Sequence, residues 1–368
     1  MPLDASFSQA SAPARAVNGR PAALWLFLIC GMLLVMVALG GATRLTGSGL
    51  SIMEWAPLSG ALPPLGEAEW RRLYALYQAI PQYELVNKGF GLEGFKAIFW
   101  LEWTHRLWGR LLGVAFAVPL LVLWWRGLVP RRLLPRLLLF LALGGLQGAV
   151  GWFMVASGFF ADATAVAPVR LALHLGLAIL LYAAVLWTAL DLWRDASHPA
   201  AESLRRSFGL RLGAAAVLLT MLAGGFVAGL KAGLTYNTYP LMDGRLIPEG
   251  YRQHASLLGD WTGNVAAVQF NHRLLATATA LLLLGVVALG WRHAGPALRR
   301  ALGAVAMAVL CQYVLGVLTL LWVVPPTLGA LHQGVAFLLL TSVLIALHLG
   351  IRAPGARATP PVLARRHA

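Results

Sequence analysis

The sequence predicts an all-α integral membrane protein, with eight transmembrane helices forming two four-helix bundles related by a pseudo-two-fold axis along the membrane normal. Three observations carry this. The chain has 368 residues, 59% of them hydrophobic and 12% charged, outside the range of ordinary soluble domains. Runs of the roughly 20 apolar residues that a bilayer span requires recur along it. The second half repeats the first, motif by motif and in the same order.

Taken in order, the apolar runs place spans at about 22–43, 105–125, 133–156, 168–190, 209–230, 271–291, 299–323 and 327–350. Glycines inside them are tolerated in a bilayer. The net charge of +15 could point to nucleic acid, but the basic residues stand in short segments between spans, as the positive-inside rule produces. Arg126, Arg131, Arg132 and Arg136 follow span two, and Arg194, Arg205, Arg206 and Arg211 follow span four. Arg292, Arg299 and Arg300 follow span six, and Arg352, Arg357, Arg365 and Arg366 follow span eight. All fall on one side, so both termini are expected in the cytoplasm. The expected division is a cytoplasmic tail at 1–21, an N-terminal four-helix half at 22–190 and a cytoplasmic linker at 191–208. A C-terminal half at 209–350 and a basic cytoplasmic tail at 351–368 complete it. Long loops at 44–104 and 231–270 face outward. No cleavable signal is evident. Cys30 and Cys311 both lie inside apolar runs, which excludes a loop disulfide.

The repeat is specific. Gly40-Gly41, Gly49-Leu50, Gly60 and Pro64 recur without a gap as Gly224-Gly225, Gly233-Leu234, Gly244 and Pro248. His105-Arg106-Leu107 recurs as His272-Arg273-Leu274. Gln147-x3-Gly151 matches Gln312-x3-Gly316, and Leu173-His174 matches Leu331-His332. Each unit has four spans, so both copies enter the membrane in the same sense, and a parallel repeat follows.

Four of nine histidines obey this repeat at the outer ends of spans: His105, His174, His272 and His332. Ionisable groups at such depth are costly and face a bundle interior or a bound group. A single one reads as a packing residue, but two per half at matched depth read as ligands. Two imidazoles per half, with no cysteines beside them, are too few for a closed zinc site. They suit the axial positions of a haem iron. Gly109 and Gly113 follow His105, and Ala276 and Ala280 follow His272, at the four-residue spacing of one helix face. That leaves a small-residue groove for a flat ring or for helix contact. Arg44, Arg106, Arg170 and Arg273 suit haem propionates and equally suit snorkelling to headgroups.

One polar position breaks the symmetry. Glu102 precedes His105 by three residues, and its counterpart is Gln269. An acid can accept a proton or stabilise developing positive charge, whereas an amide cannot do the first. The first half is therefore expected to do chemistry, with Glu102 catalytic, and the second to carry electrons. The competing reading is a glutamate favoured by a helix N-terminus.

With GGATRLTGSGLS at 40–51, EWTHR at 102–106, NHR at 271–273 and LHQ at 331–333, the chain resembles the haem A synthase family across about 22–350. The resemblance implies an oxidoreductase that converts a methyl group of haem O to the formyl group of haem A, with electrons from an external donor. It implies that His105 and His174 hold the substrate haem, that His272 and His332 ligate a haem b, and that Glu102 is the acid at the substrate site. Some bacterial members carry a cysteine pair in the first outer loop. None stands here, which resembles the alphaproteobacterial and mitochondrial branch, and the short N-terminus favours a bacterial inner membrane with haem sites near its outer face. Expected partners are haem O, the electron donor, haem O synthase, the lipid bilayer and a second copy in a homo-oligomer, with no nucleic acid. The alternatives are a di-haem b-type electron-transfer cytochrome without porphyrin chemistry, and a duplicated transporter.

Overall fold

The computed structural model describes residues 19–194 and 204–350, and among them regular structure is helical, with one isolated bridge between Met242 and Arg245. The helices are α1 (Arg20–Leu45), α2 (Glu67–Gln78), α3 (Pro81–Leu85), α4 (Leu92–Trp125), α5 (Leu134–Val155) and α6 (Pro168–Arg194). They continue with α7 (Leu204–Gly229), α8 (Leu257–Gly263), α9 (Val265–Trp291), α10 (Pro296–Leu321) and α11 (Pro326–Gly350). Eight of them, α1, α4, α5, α6, α7, α9, α10 and α11, are long and apolar enough to cross a membrane. In hydrocarbon every backbone group must be satisfied within the segment, and helices do this.

Helix contacts close two rings. In the first, α1 packs on α4, α4 on α5, α5 on α6, and α6 back on α1. In the second, α7 packs on α9, α9 on α10, α10 on α11, and α11 back on α7. The rings meet where α11 packs on α1 and α6, and where α6 packs on α7. The largest core lies there, with Ile179, Tyr182, Val185 and Leu186 of α6 buried near Phe337, Leu340, Val343 and Leu344 of α11. Polar stitches cross the seam: Tyr182 Oη and Thr341 Oγ1 are 2.6 Å apart, and His348 Nε2 and Asp191 Oδ1 are 2.8 Å apart. Gln333 Nε2 donates to Val37 O at 3.0 Å.

The start of the second span differs from expectation. The apolar run begins at about 105, whereas α4 begins at Leu92. Glu93 and Lys96 remove the added turns from any apolar window, yet Phe95, Ile98 and Phe99 bury against α2 and its neighbours in a separate small core. An amphipathic extension with a partner is helical without being membrane-spanning. The expected loop at 44–104 is therefore a folded cap. Gly47, at φ +69° in the turn after α1, adopts the left-handed conformation that glycine tolerates best, and its carbonyl accepts from the buried Gln82 Nε2 at 3.0 Å. In the second half α9 likewise starts early, at Val265, where the Asn264 side chain accepts from the backbone N–H groups of Ala266 and Ala267. The tails expected at 1–21 and 351–368 and the linker at 191–208 lie, apart from residues 19–21, 191–194 and 204–208, outside the described residues.

Candidate functional site

The four histidines come together as two pairs. His105 on α4 and His174 on α6 stand on opposite corners of the first ring. His272 on α9 and His332 on α11 do the same in the second. Each side chain is half-buried, and each Nδ1 is buried without a well-formed hydrogen bond.

Every histidine is backed by a glycine of the preceding membrane helix. A Cβ on Gly40 would stand 3.1 Å from His105 Cε1, and one on Gly224 would stand 3.1 Å from His272 Cε1. On Gly151 and Gly316 it would stand 2.9 Å from Cε1 of His174 and of His332. Those distances lie inside normal van der Waals contact, so each ring rests on bare backbone. Beside the rings of α6 and α11 sits a glutamine: Gln147 Nε2 is 3.5 Å from His174 Nε2, and Gln312 Nε2 is 3.3 Å from His332 Nε2. The glutamines and glycines were visible in the sequence as Gln-x3-Gly repeats, but nothing there tied them to the histidines, because that requires knowing that α5 abuts α6 and α10 abuts α11.

Among the described residues no group of three or more His, Cys, Asp or Glu side chains gathers to hold a bare metal ion. Paired imidazoles across a bundle, with orphaned ring nitrogens and small backing residues, fit a haem, whose macrocycle fills the remaining iron positions. The groove expected below His105 is mixed. Gly113 faces open space, while Gly109 packs towards Met36, where a Cβ would meet Cε at 3.3 Å.

The four arginines divide. Arg106 gives Nε and Nη2 to Glu102 Oε1, Nη2 also to Ile52 O, and Nη1 to Glu54 O. Arg273 donates to Gln269 Oε1 and to the carbonyls of Tyr236 and Thr238. Both are engaged with the long loop of their own half. Arg44 gives Nη1 to Ala228 O at 2.8 Å, and Arg170 gives Nη1 to Phe153 O at 2.8 Å while lying 3.9 Å over the Phe153 ring. Arg44 is one turn beyond Gly40, which backs His105, and Arg170 is one turn before His174, so each shares a helix face with an element of the first histidine pair. The corresponding residues of the second half are Ala228 and Leu328.

Glu102 is buried, 2% exposed. It sits in the third turn of α4, away from the helix N-terminus, so the dipole explanation for it does not apply. Its oxygens face Arg106 and the loop after α1, with Ser51 N, Ser51 Oγ and Ile52 N all donating to Oε2. Asp260, in the short α8 ahead of the span of α9, was not singled out from sequence. It is fully buried and accepts from the backbone N–H groups of Gln253 and His254 and from Asn264 Nδ2. The Gln253 bond is the leading cause that holds its carboxyl down at about 2, with Asn264, His254 and the Arg252 charge adding to it. Asn264 is also the cap of α9, so this network sets the start of the helix carrying His272.

The chain is similar to known proteins over most of its length. A family model described as cytochrome oxidase assembly protein matches residues 23–344. The chain is 56% identical over 347 residues to a protein of Granulibacter bethesdensis named heme A synthase, covering 94% of this chain and 91% of that one. Proteins of the same name from Caulobacter vibrioides and Methylorubrum populi are 47% and 46% identical, over 89% and 91% of this chain and 95% and 88% of theirs.

Proposed function

The chain belongs to the haem A synthase family of cytochrome oxidase assembly proteins, and from that premise we propose how its residues divide the work. It is a multi-pass membrane oxidoreductase that takes haem O as substrate and yields haem A, a methyl group becoming a formyl group. His105 and His174 hold the substrate haem. His272 and His332 hold a resident haem b, which when bound relays electrons from an external donor. The observation that carries this reading is the pairing of half-buried imidazoles across each ring, every one with an orphaned Nδ1 and a glycine behind it.

The chain's own residues supply position. Gly40, Gly151, Gly224 and Gly316 fix the ring planes. Arg44 and Arg170, with donors left over and places one turn from the first histidine pair, meet the substrate propionates. Arg106 and Arg273 hold loops instead. The cap of α2, α3 and the start of α4 packs with Val155 of α5, one turn beyond the Gly151 that backs His174. The basic loops support cytoplasmic termini and histidine pairs towards the outer face. The matched contacts of the two rings support a pseudo-two-fold: Gly41 lies against Gln333, the residue after His332, and Gly225 against Leu175, the residue after His174.

The test is haem extraction after expression beside a haem O source. Wild type yields haem A and retains haem B. His174→Ala abolishes haem A and keeps haem B, and His332→Ala loses the haem B. Recovery of only haem B and unchanged haem O from wild type, with electron supply verified, would end the reading.

A further inference from the structure

Glu102 and Gln269 occupy the same place in the two halves and are both buried, yet one is an acid and the other an amide. The backbone opposite each one differs in polarity. After α1 the chain turns so that two N–H groups meet α4: Ser51 N lies 2.7 Å and Ile52 N 3.0 Å from Glu102 Oε2, with Ser51 Oγ at 2.8 Å. After α7 the chain presents carbonyls: Gln269 Nε2 donates to Ala232 O and Thr235 O, both at 2.6 Å. In both halves the remaining oxygen accepts from the arginine four residues on, Arg106 or Arg273. A carboxylate offers acceptors alone and an amide offers both kinds. The acid therefore stands where the loop brings donors, and the amide stands where the loop brings acceptors.

Glu102 is also the first of three residues on one stripe of α4. Arg106 donates to Ile52 O and Glu54 O, and Arg110 donates to Ala56 O at 2.7 Å and Pro57 O at 2.9 Å. At i, i+4 and i+8 they share a face and together hold residues 51–57. The same loop sends Leu50 and Ile52 into the outer core with Val155, one turn beyond Gly151, which backs His174. Oε1 of Glu102 is occupied by Arg106, its charge is matched there at 2.6 Å, and Oε2 has three donors.

We propose that Glu102 is a positioning residue: with Arg106 and Arg110 it clamps the segment Ser51–Pro57 over the His105–His174 site. On this assignment the divergence from Gln269 records the polarity of each loop, not a proton transfer confined to one half. The inference rests on the haem A synthase reading only for its kinetic arm. The test uses full-length protein in nanodiscs. Hydrogen exchange of peptides spanning Ser51 and Ile52 in Glu102→Gln is expected to rise about tenfold or more, as loss of a charge-assisted bond implies. The KM for haem O should rise about tenfold while kcat per folded enzyme stays within about threefold, because a loosened cover weakens binding of substrate and transition state alike. Gln269→Glu should raise exchange at residues 232–235 and leave Ser51–Ile52 protected. A general base would instead lose about a hundredfold or more in kcat at constant KM. Unchanged exchange at Ser51–Ile52, or an unchanged KM, overturns the proposal. If Glu102→Gln does not fold, Arg110→Gln reads the same clamp at residues 56–60, and unchanged exchange there is equally fatal. Failure of wild type to make haem A would strike the functional reading and leave the exchange arm readable.

Discussion

Gly316→Ala is the sharpest probe of the second histidine pair. The added methyl would sit 2.9 Å from Cε1, 3.5 Å from Nδ1 and 3.7 Å from Nε2 of His332. Carbon atoms pack best at about 3.5–4.0 Å, so the imidazole must retreat by about 0.6 Å, through a tilt of its χ angles or a separation of α10 from α11. A tilt of that kind costs about 0.5–1.5 kcal/mol and a forced overpacking about 1–3 kcal/mol. On the proposed assignment of His332 as a haem ligand, a displacement of this cost should lower haem retention by roughly 2- to 140-fold, at about 1.4 kcal/mol per decade. The assay is haem B per purified polypeptide, from the pyridine haemochrome, with the low-spin spectrum as a second readout. Gly151→Ala meets His174 at the same 2.9 Å and should reduce haem A formation while leaving haem B in place. Gly148→Ala, where a Cβ meets nothing within 4 Å, is the control on the same helix and should be neutral. Wild-type haem B content and spectrum in Gly316→Ala would refute the idea that the glycine sets the ring.

Two further outcomes follow from the structure. Arg44→Gln and Arg170→Gln should each raise the KM for haem O by about tenfold through loss of a charge-assisted bond without lowering haem B content, measured by titrating haem O against product formation. The Asp260 carboxyl, held down at about 2 from its ordinary 3.8, contributes stability that is fully present above about pH 4 and lost as pH falls towards 2. Asp260→Asn should flatten the acid-unfolding curve over that window, followed by helical circular dichroism in detergent, and an unchanged curve would refute the assignment.

The eight spans were legible because hydrocarbon demands uninterrupted apolar length, and no tertiary contact is needed to see it. The histidines were legible as sets because duplication copied them at matching depth. What escaped the sequence depends on contacts between distant segments. Glu93 and Lys96 hid the early start of α4, since the apolar stripe of Phe95, Ile98 and Phe99 gains meaning only when α2 lies against it. Arg106 and Arg273 looked like anion binders because arginine beside a histidine suits a carboxylate. Their partners are the side chain four residues before each, Glu102 or Gln269, and loop carbonyls about 30 to 50 residues away in the chain; carbonyls have no sequence signature. Glu102 against Gln269 was legible as a difference, but whether the facing backbone offers N–H or C=O is decided by the turn after each first helix.

Where the halves agree and where they part is itself informative about function. Glycine backing, paired imidazoles and adjacent glutamines are common to both rings, and all lie within the spans. The differences gather at the long-loop ends. Arg44 and Arg170 face Ala228 and Leu328 across the repeat, and a folded cap in one half answers a short α8 and a buried Asp260 in the other. A resident cofactor needs only to be held, and apolar packing does that. A substrate must be captured and released at every turnover, and cations at the mouth of its site speed capture of a dicarboxylate porphyrin by long-range attraction that salt screens. The division of labour therefore predicts a signature that separates the halves without any mutation. Association of haem O should slow as ionic strength rises, while retention of the resident haem should not change. Equal salt sensitivity at the two sites would mean that the arginines of the first half serve the lipid interface and not the substrate.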